Sequence, residues 1–247
     1  MHHELSFLFH PVNALLTKLL GAPPGAWQKA LKLTGQDGIW LPDHVIMAMT
    51  VALLITVLAV TARRSFSLDK PSTLQQVFEL VVSGIRGLAD DVVGHGHGAP
   101  FVPFVAALAC FIFVSNFFGL FFFLQPPTAN LNTTAALAVT AFVFYHVAGL
   151  RAQGFHYFKQ FMGPVWWLFP LMLPLEIISH LARVLSLSLR LFGNIFAEHS
   201  ASAGFLVVVP LFVPAMMGLG VLGATIQTFI FIMLTSVYIS GAVAEEH

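Results

Sequence analysis

The chain has 247 residues, 57% hydrophobic and 9% charged, with a mean hydropathy of +0.86. A soluble domain carries about 25% charged residues, so a water-soluble enzyme is excluded. Eleven basic and eleven acidic residues cancel, which removes the basic surplus of a nucleic-acid binder. The single cysteine, Cys110, excludes an internal disulfide and a cysteine-based metal cluster. In its apolar run it reads as a buried structural thiol.

Residues 1–42 mix proline, glycine and charge and are expected to form a tail outside the bilayer. Trp40 stands where an interfacial aromatic anchor belongs. The N-terminus has no basic stretch followed by a long apolar core, so it does not read as a cleaved signal peptide. Residues 43–247 read as one membrane domain. The uncharged run 45–62 can span with little tilt, since a span takes about 20 apolar residues. It ends at Arg63 and Arg64, with Lys70 close behind. The positive-inside rule places that end in the cytoplasm and the N-terminus outside.

Residues 72–93 carry apolar side chains at helical spacing, with Glu79, Arg86, Asp90 and Asp91 interspersed. That pattern predicts an amphipathic helix on the cytoplasmic membrane surface. HGHGAP at 95–100 breaks it. His95 and His97 have two glycines and no further ligand beside them, which favours a loop over a metal site. Runs 101–124 and 133–150 are predicted to span, joined by an outer Pro/Asn turn and followed by Arg151 and Lys159 inside. Asn116 and His146 inside these spans are expected to bond between helices. Residues 161–175 hold Pro164, Pro170 and Pro174, which predicts a bent or re-entrant element. Two long helices then fill 176–243 as an antiparallel hairpin. The expected fold is all-α and polytopic, with about five membrane-embedded helices.

Between Phe101 and Ala244 there are six charged side chains. Arg151 and Lys159 follow from topology. Glu176, Arg183, Arg190 and Glu198 stand on one helix, although each charge at membrane depth costs at least about 2.5 kcal/mol. Glu176, Ser179, Arg183, Ser186, Arg190, Asn194 and Glu198 step by 3, 4, 3, 4, 4 and 4 residues. That spacing makes one polar stripe, roughly 33 Å long at a rise of about 1.5 Å per residue. A polar line of membrane length with carboxylates at both ends points to an ion path. Arg183 is open to a purely structural pairing. Arg190 is 14 residues from Glu176 and 8 from Glu198, too far along the axis for either to neutralise it. As a permanent cation it points to an anionic partner on another chain. On the following helix, Gly220, Gly223, Gln227, Thr235 and Tyr238 recur near helical spacing, small residues for close packing and Gln227 as a mid-membrane donor and acceptor.

SLSLRLFGNIFAEH at 186–199, QTFIFIMLTSVYIS at 227–240 and the AVAEEH ending resemble the a subunit of the membrane (Fo) sector of bacterial F-type ATP synthases, from about residue 41 onward. The resemblance implies a multi-pass subunit of the bacterial inner membrane with its C-terminus in the cytoplasm. It implies a non-catalytic stator that packs beside a ring of c subunits and is held by a b-subunit peripheral stalk, without a cofactor. Two offset half-channels would carry protons to and from the ring's carboxylates. Arg190 matches the family's essential arginine, Asn194 and Gln227 its nearby amides, and Glu176 the acid at the start of the arginine helix. Ser186, Glu198 and His199 complete the candidate path. One departure stands out: Gly220 occupies the position where many members carry His or Glu two turns before the glutamine. The ionisable group would then have moved to the Glu198–His199 pair. The rival classes are a proton-coupled transporter, for which no paired repeats are visible, and an intramembrane protease. For the protease there is no His-Glu-x-x-His motif, and Glu176 with His180 is too small a ligand set.

Overall fold

The computed structural model describes residues 6–21, 23, 41–64, 66–67, 71–94, 98–120, 125–154, 157, 169–208 and 213–243. In lipid a backbone must satisfy its own polar groups, and helices do this within one segment. The described residues form seven α-helices and no strand: α1 (Ser6–Leu20), α2 (Asp43–Arg64), α3 (Thr73–Val93), α4 (Val102–Phe118), α5 (Leu131–Gln153), α6 (Phe169–Val208) and α7 (Val213–Val243). Five are long and apolar enough to cross a membrane: α2, α4 with the short turn before it, α5, α6 and α7. Side-chain hydroxyls obey the same rule. Thr50, Thr56, Thr140, Thr225 and Thr235 each donate to the carbonyl four residues back, at 2.7–2.8 Å.

The expected N-terminal tail carries a helix, α1, which rests on α2. Asn13 fastens it. Its Oδ1 accepts the N–H of Leu41 at 3.0 Å, and its Nδ2 donates to the Leu41 carbonyl at 3.1 Å. Trp40 lies outside the described residues, as do His95 and His97. The amphipathic α3 starts at Ser72, whose hydroxyl accepts the N–H of Gln75 at 3.3 Å, and stops at Gly94, where φ is 109°. It buries Ile85 and Ala89 against α4 and α7. Its charged Glu79, Arg86 and Asp91 stay exposed.

The helix α4 ends at Phe118, and residues 121–124 of the expected span lie outside the described residues. Pro103 stands in its first turn, where its missing N–H costs nothing. Cys110 is only partly buried. His146 Nδ1 donates to the Phe142 carbonyl of its own helix at 3.0 Å, a bond that sets it as the protonated nitrogen, since a carbonyl only accepts. Asn116 bonds out of its helix: its Oδ1 accepts the Thr128 hydroxyl at 2.9 Å, both side chains fully buried.

The proline-rich segment differs most from expectation. Residues 169–175 are the first turns of α6, which runs unbroken for 40 residues through Pro174. Pro170 lies in the first turn, where a missing N–H costs little, whereas Pro174, the sixth residue, removes the N–H that would bond the Pro170 carbonyl, and the helix continues past it. The remainder, 161–168 with Pro164, lies outside the described residues. At about 1.5 Å per residue α6 is roughly 60 Å long, twice the hydrocarbon core, so it must tilt steeply or project beyond it.

Two apolar clusters hold the bundle together. One joins Ile85 and Ala89 of α3 to Val105 and Ala109 of α4 and Ile232 and Ile239 of α7. The other joins Leu108 and Ile112 of α4, Ala138 and Ala141 of α5, Leu187 and Leu191 of α6, and Phe231 of α7. Backbones approach closely where glycine allows it. A Cβ on Gly149 would lie 2.9 Å from the Ala242 carbonyl and 2.6 Å from the Tyr157 ring. That contact puts the C-terminal ends of α5 and α7 together. At the opposite end, His44 at the start of α2 bonds Asn130, the N-cap of α5, at 3.3 Å. Arg63, Arg64 and Arg151 therefore share the end at which α6 starts.

Candidate site along the arginine helix

The site is built on the two sides of α6. One side buries Leu187, Ser188, Leu191 and Ile195 in the bundle. The other leaves Leu181, Leu185, Leu189 and Phe196 each more than half exposed. The polar stripe lies on the seam between them. In its middle Ser186, Arg190 and Asn194 are exposed, while towards both ends Glu176, Arg183 and Glu198 turn inward and are partly buried. A straight row stepping mostly by four residues drifts round a helix of 3.6 residues per turn, which produces this twist. Among the described residues none forms an ion pair with Arg190.

At the far end of the stripe, α7 runs antiparallel to α6 and presents two glycines to it. Asn194 Nδ2 is 3.7 Å and Glu198 Oε2 3.8 Å from where a Cβ on Gly223 would stand. A Cβ on Gly220 would collide with Glu198 Oε1 and lie 2.5 Å from Leu120 Cδ2. Gly220 is thus the cradle that admits the Glu198 carboxylate. A side chain at position 220 would have to displace the end of the Glu198 side chain. Glu198 and His199 line one small cavity together with Gly119, Leu120, Ser202 and Met217. One turn beyond Gly223, Gln227 is buried, and its Nε2 makes no hydrogen bond to a described residue. The structure therefore brings Asn194, Glu198 and His199 to one end with α7. Ser186 stays exposed on the seam.

Glu176 belongs to a second cluster at the other end. Its Oε1 is 3.2 Å from Nε2 of His180, and Nδ1 of His180 is 3.0 Å from the Tyr145 hydroxyl. The guanidinium of Arg183 lies 5.1 Å from the centre of the Tyr238 ring, a cation–π contact that explains much of its placement. From sequence Tyr145 and Thr128 are not singled out, Asn116 reads only as a bond between helices, and His180 only as part of a ligand set, with Glu176, too small for a metal. Nothing local could have flagged the pairing with Tyr145, which is 35 residues away.

The family model described as ATP synthase A chain matches residues 44–240, which includes every site residue named above. The chain is 48% identical to ATP synthase subunit a 1 of Syntrophotalea carbinolica over 205 residues, 83% of this chain and 87% of that one. It is 51% identical to subunit a 2 of the same organism over 178 residues, 72% and 76% of the two chains. It is 43% identical to ATP synthase subunit a of Geobacter sulfurreducens over 214 residues, 86% and 90% of the two chains. With the matched region running from the start of α2 almost to the end of α7, the chain belongs to the ATP synthase A chain family.

Proposed function

We propose that this chain is the stationary proton-carrying subunit of a bacterial rotary F-type ATP synthase, without catalytic activity of its own. It lies in the inner membrane beside a c-subunit ring, tied to the catalytic head through a b-subunit stalk. Residues 1–42 stand outside, 43–247 form the membrane domain, and the C-terminus is cytoplasmic. The observation that carries this is Arg190: a permanent cation, exposed halfway along a polar stripe of membrane length, beside a bare apolar face of α6. Such a face suits a neighbouring helix that brings a carboxylate, and lipid alone offers that charge nothing.

In this reading protons pass between the outside and the ring past His199, Glu198, Asn194 and Gln227. They pass between the ring and the cytoplasm past Ser186 and Glu176. Arg190 separates the two routes, since a fixed cation repels a proton as it attracts a carboxylate. The test is purification in mild detergent. The subunit should come with a ring of small carboxylate-bearing subunits and a stalk, whereas a secondary transporter of similar composition should come alone.

Orientation follows from the basic end of the bundle, where Arg63, Arg64 and Arg151 gather. Single cysteines placed by Ser67→Cys and Ala129→Cys, in a Cys110→Ala background, should label from opposite sides: the first from the cytoplasm, the second from outside. Labelling of both from one side would overturn the arrangement.

A further inference from the structure

We propose that His180 carries protons on the cytoplasmic side of the path, passing them between Tyr145 and Glu176. The proposal rests on the stator reading above and adds to it a residue outside the polar stripe. The three side chains form an unbroken line, Tyr145 Oη hydrogen-bonded to His180 Nδ1 at 3.0 Å and His180 Nε2 within 3.2 Å of Glu176 Oε1. Exposure rises along it. Tyr145 is 2% exposed, the His180 side chain 12% and the Glu176 side chain 36%. The line thus leads from the packed interior of α5, α6 and α7 to the surface at the end where α6 begins.

The chemistry of the donors assigns the protons. An ionised carboxylate only accepts, so Nε2 carries the hydrogen, and Nδ1 of a neutral ring then accepts from the Tyr145 hydroxyl. A proton arriving at the phenol oxygen lets the phenol's own proton pass to Nδ1, which leaves an imidazolium beside the Glu176 carboxylate. The Nε2 proton then crosses to Oε1, and neutral Glu176 releases it to water. One proton enters at Tyr145 and one leaves at Glu176, which leaves the ring with its hydrogen on Nδ1; the first tautomer returns when the ring swings from Tyr145 and water gives one proton to Nε2 and takes the one on Nδ1. Run backwards, the same steps carry a proton inward to the ring. An imidazole can do this near neutral pH, where no other neutral side chain so readily takes up and gives up a proton.

Among the described residues the titratable and charged groups around His180 are Glu176 and Arg183 on its own helix and Tyr145 and His146 on α5. Tyr157, just past α5, lies against His146, and Tyr238 on α7 lies against Tyr145. The His146 ring centre is 4.9 Å from that of His180, and its Nδ1 donates to the Phe142 carbonyl.

The experiment uses the whole complex in inverted vesicles, where the cytoplasmic face meets the bath. ATP-driven proton uptake is measured while bath pH is varied between about 5 and 8 at fixed internal pH. His180→Gln offers an amide oxygen to Tyr145 and an N–H to Glu176 and cannot relay a proton. It should slow uptake about tenfold or more and flatten the bath-pH profile. Tyr145→Phe, which keeps the ring and removes only the hydroxyl, should act in the same direction and covers the case in which the first variant assembles poorly. The dependence on internal pH should not move in either. A merely structural role would reduce the amount of assembled complex and leave the bath-pH profile of what remains as in the parent. That outcome, or a change confined to the internal-pH profile, overturns the proposal. Arg190→Ala in the same vesicles separates the two readings. Uptake that survives it removes the stator reading itself, whereas uptake lost there but unaltered in shape by His180→Gln removes only the relay.

Discussion

Arg190→Ala is expected to abolish proton-driven ATP synthesis while leaving assembly largely intact. The guanidinium is exposed and forms no ion pair with a described residue, so its removal breaks no packing that holds the bundle. The loss falls on the partner chain. A carboxylate about 4 Å from this charge gains roughly 4 kcal/mol at an effective dielectric of 20, about a thousandfold in its hold on a proton. With arginine present, a rotor carboxylate gives up its proton on arriving and takes one again on leaving. With alanine, the carboxylate stays protonated past the stator, and nothing separates the two routes. The driving force of about 2.3 kcal/mol per proton for each 100 mV is then dissipated or blocked. Synthesis and ATP-driven proton uptake in vesicles are the measurements, with subunit content checked on the same preparation. Normal synthesis in this variant would remove the rotor-carboxylate mechanism.

The second large effect is expected from the paired change Glu198→Gln with His199→Ala. The two side chains line one cavity at the end of the stripe remote from Glu176, about 12 Å along the axis from Arg190. That is too far for direct pairing with the arginine and fits a water-linked relay through Asn194 and Gln227. Each group can bind and release a proton, so either can serve alone. Single changes should slow proton flux, and the double change should nearly stop it. Flux in vesicles is followed as a function of pH on the outer side. The double variant should lose the dependence on that pH and keep the dependence on the cytoplasmic side. Unchanged flux and profile would move the outer route to the last helix, where Gln227 is buried.

Much of this molecule was legible before any fold existed. Membrane solvation follows from 9% charge and +0.86 hydropathy alone, because burial in lipid depends on composition and run length. The helices followed too, since in lipid each helix satisfies its own backbone and needs no partner to be recognised. The polar stripe was a matter of spacing, and spacing on a helix is geometry. The run LRLFGN around Arg190 carried the family.

Three things needed the tertiary structure. Residues 169–175 read as a bent element because proline is a poor helix residue, yet α6 holds Pro170 in its first turn and continues through Pro174, and where α6 begins is settled only by packing. Gly220 was a gap in the family pattern until α7 was laid against α6; then it became the space that Glu198 fills. His180 looked like half of a weak metal site, and became the middle of a line once α5 placed Tyr145 against it across 35 residues. Local pattern determines which face of a helix is polar, because that depends only on the repeat. Which residues of two helices meet depends on how far one slides and turns against the other, and the glycines and branched side chains of the core set that only when the whole bundle packs.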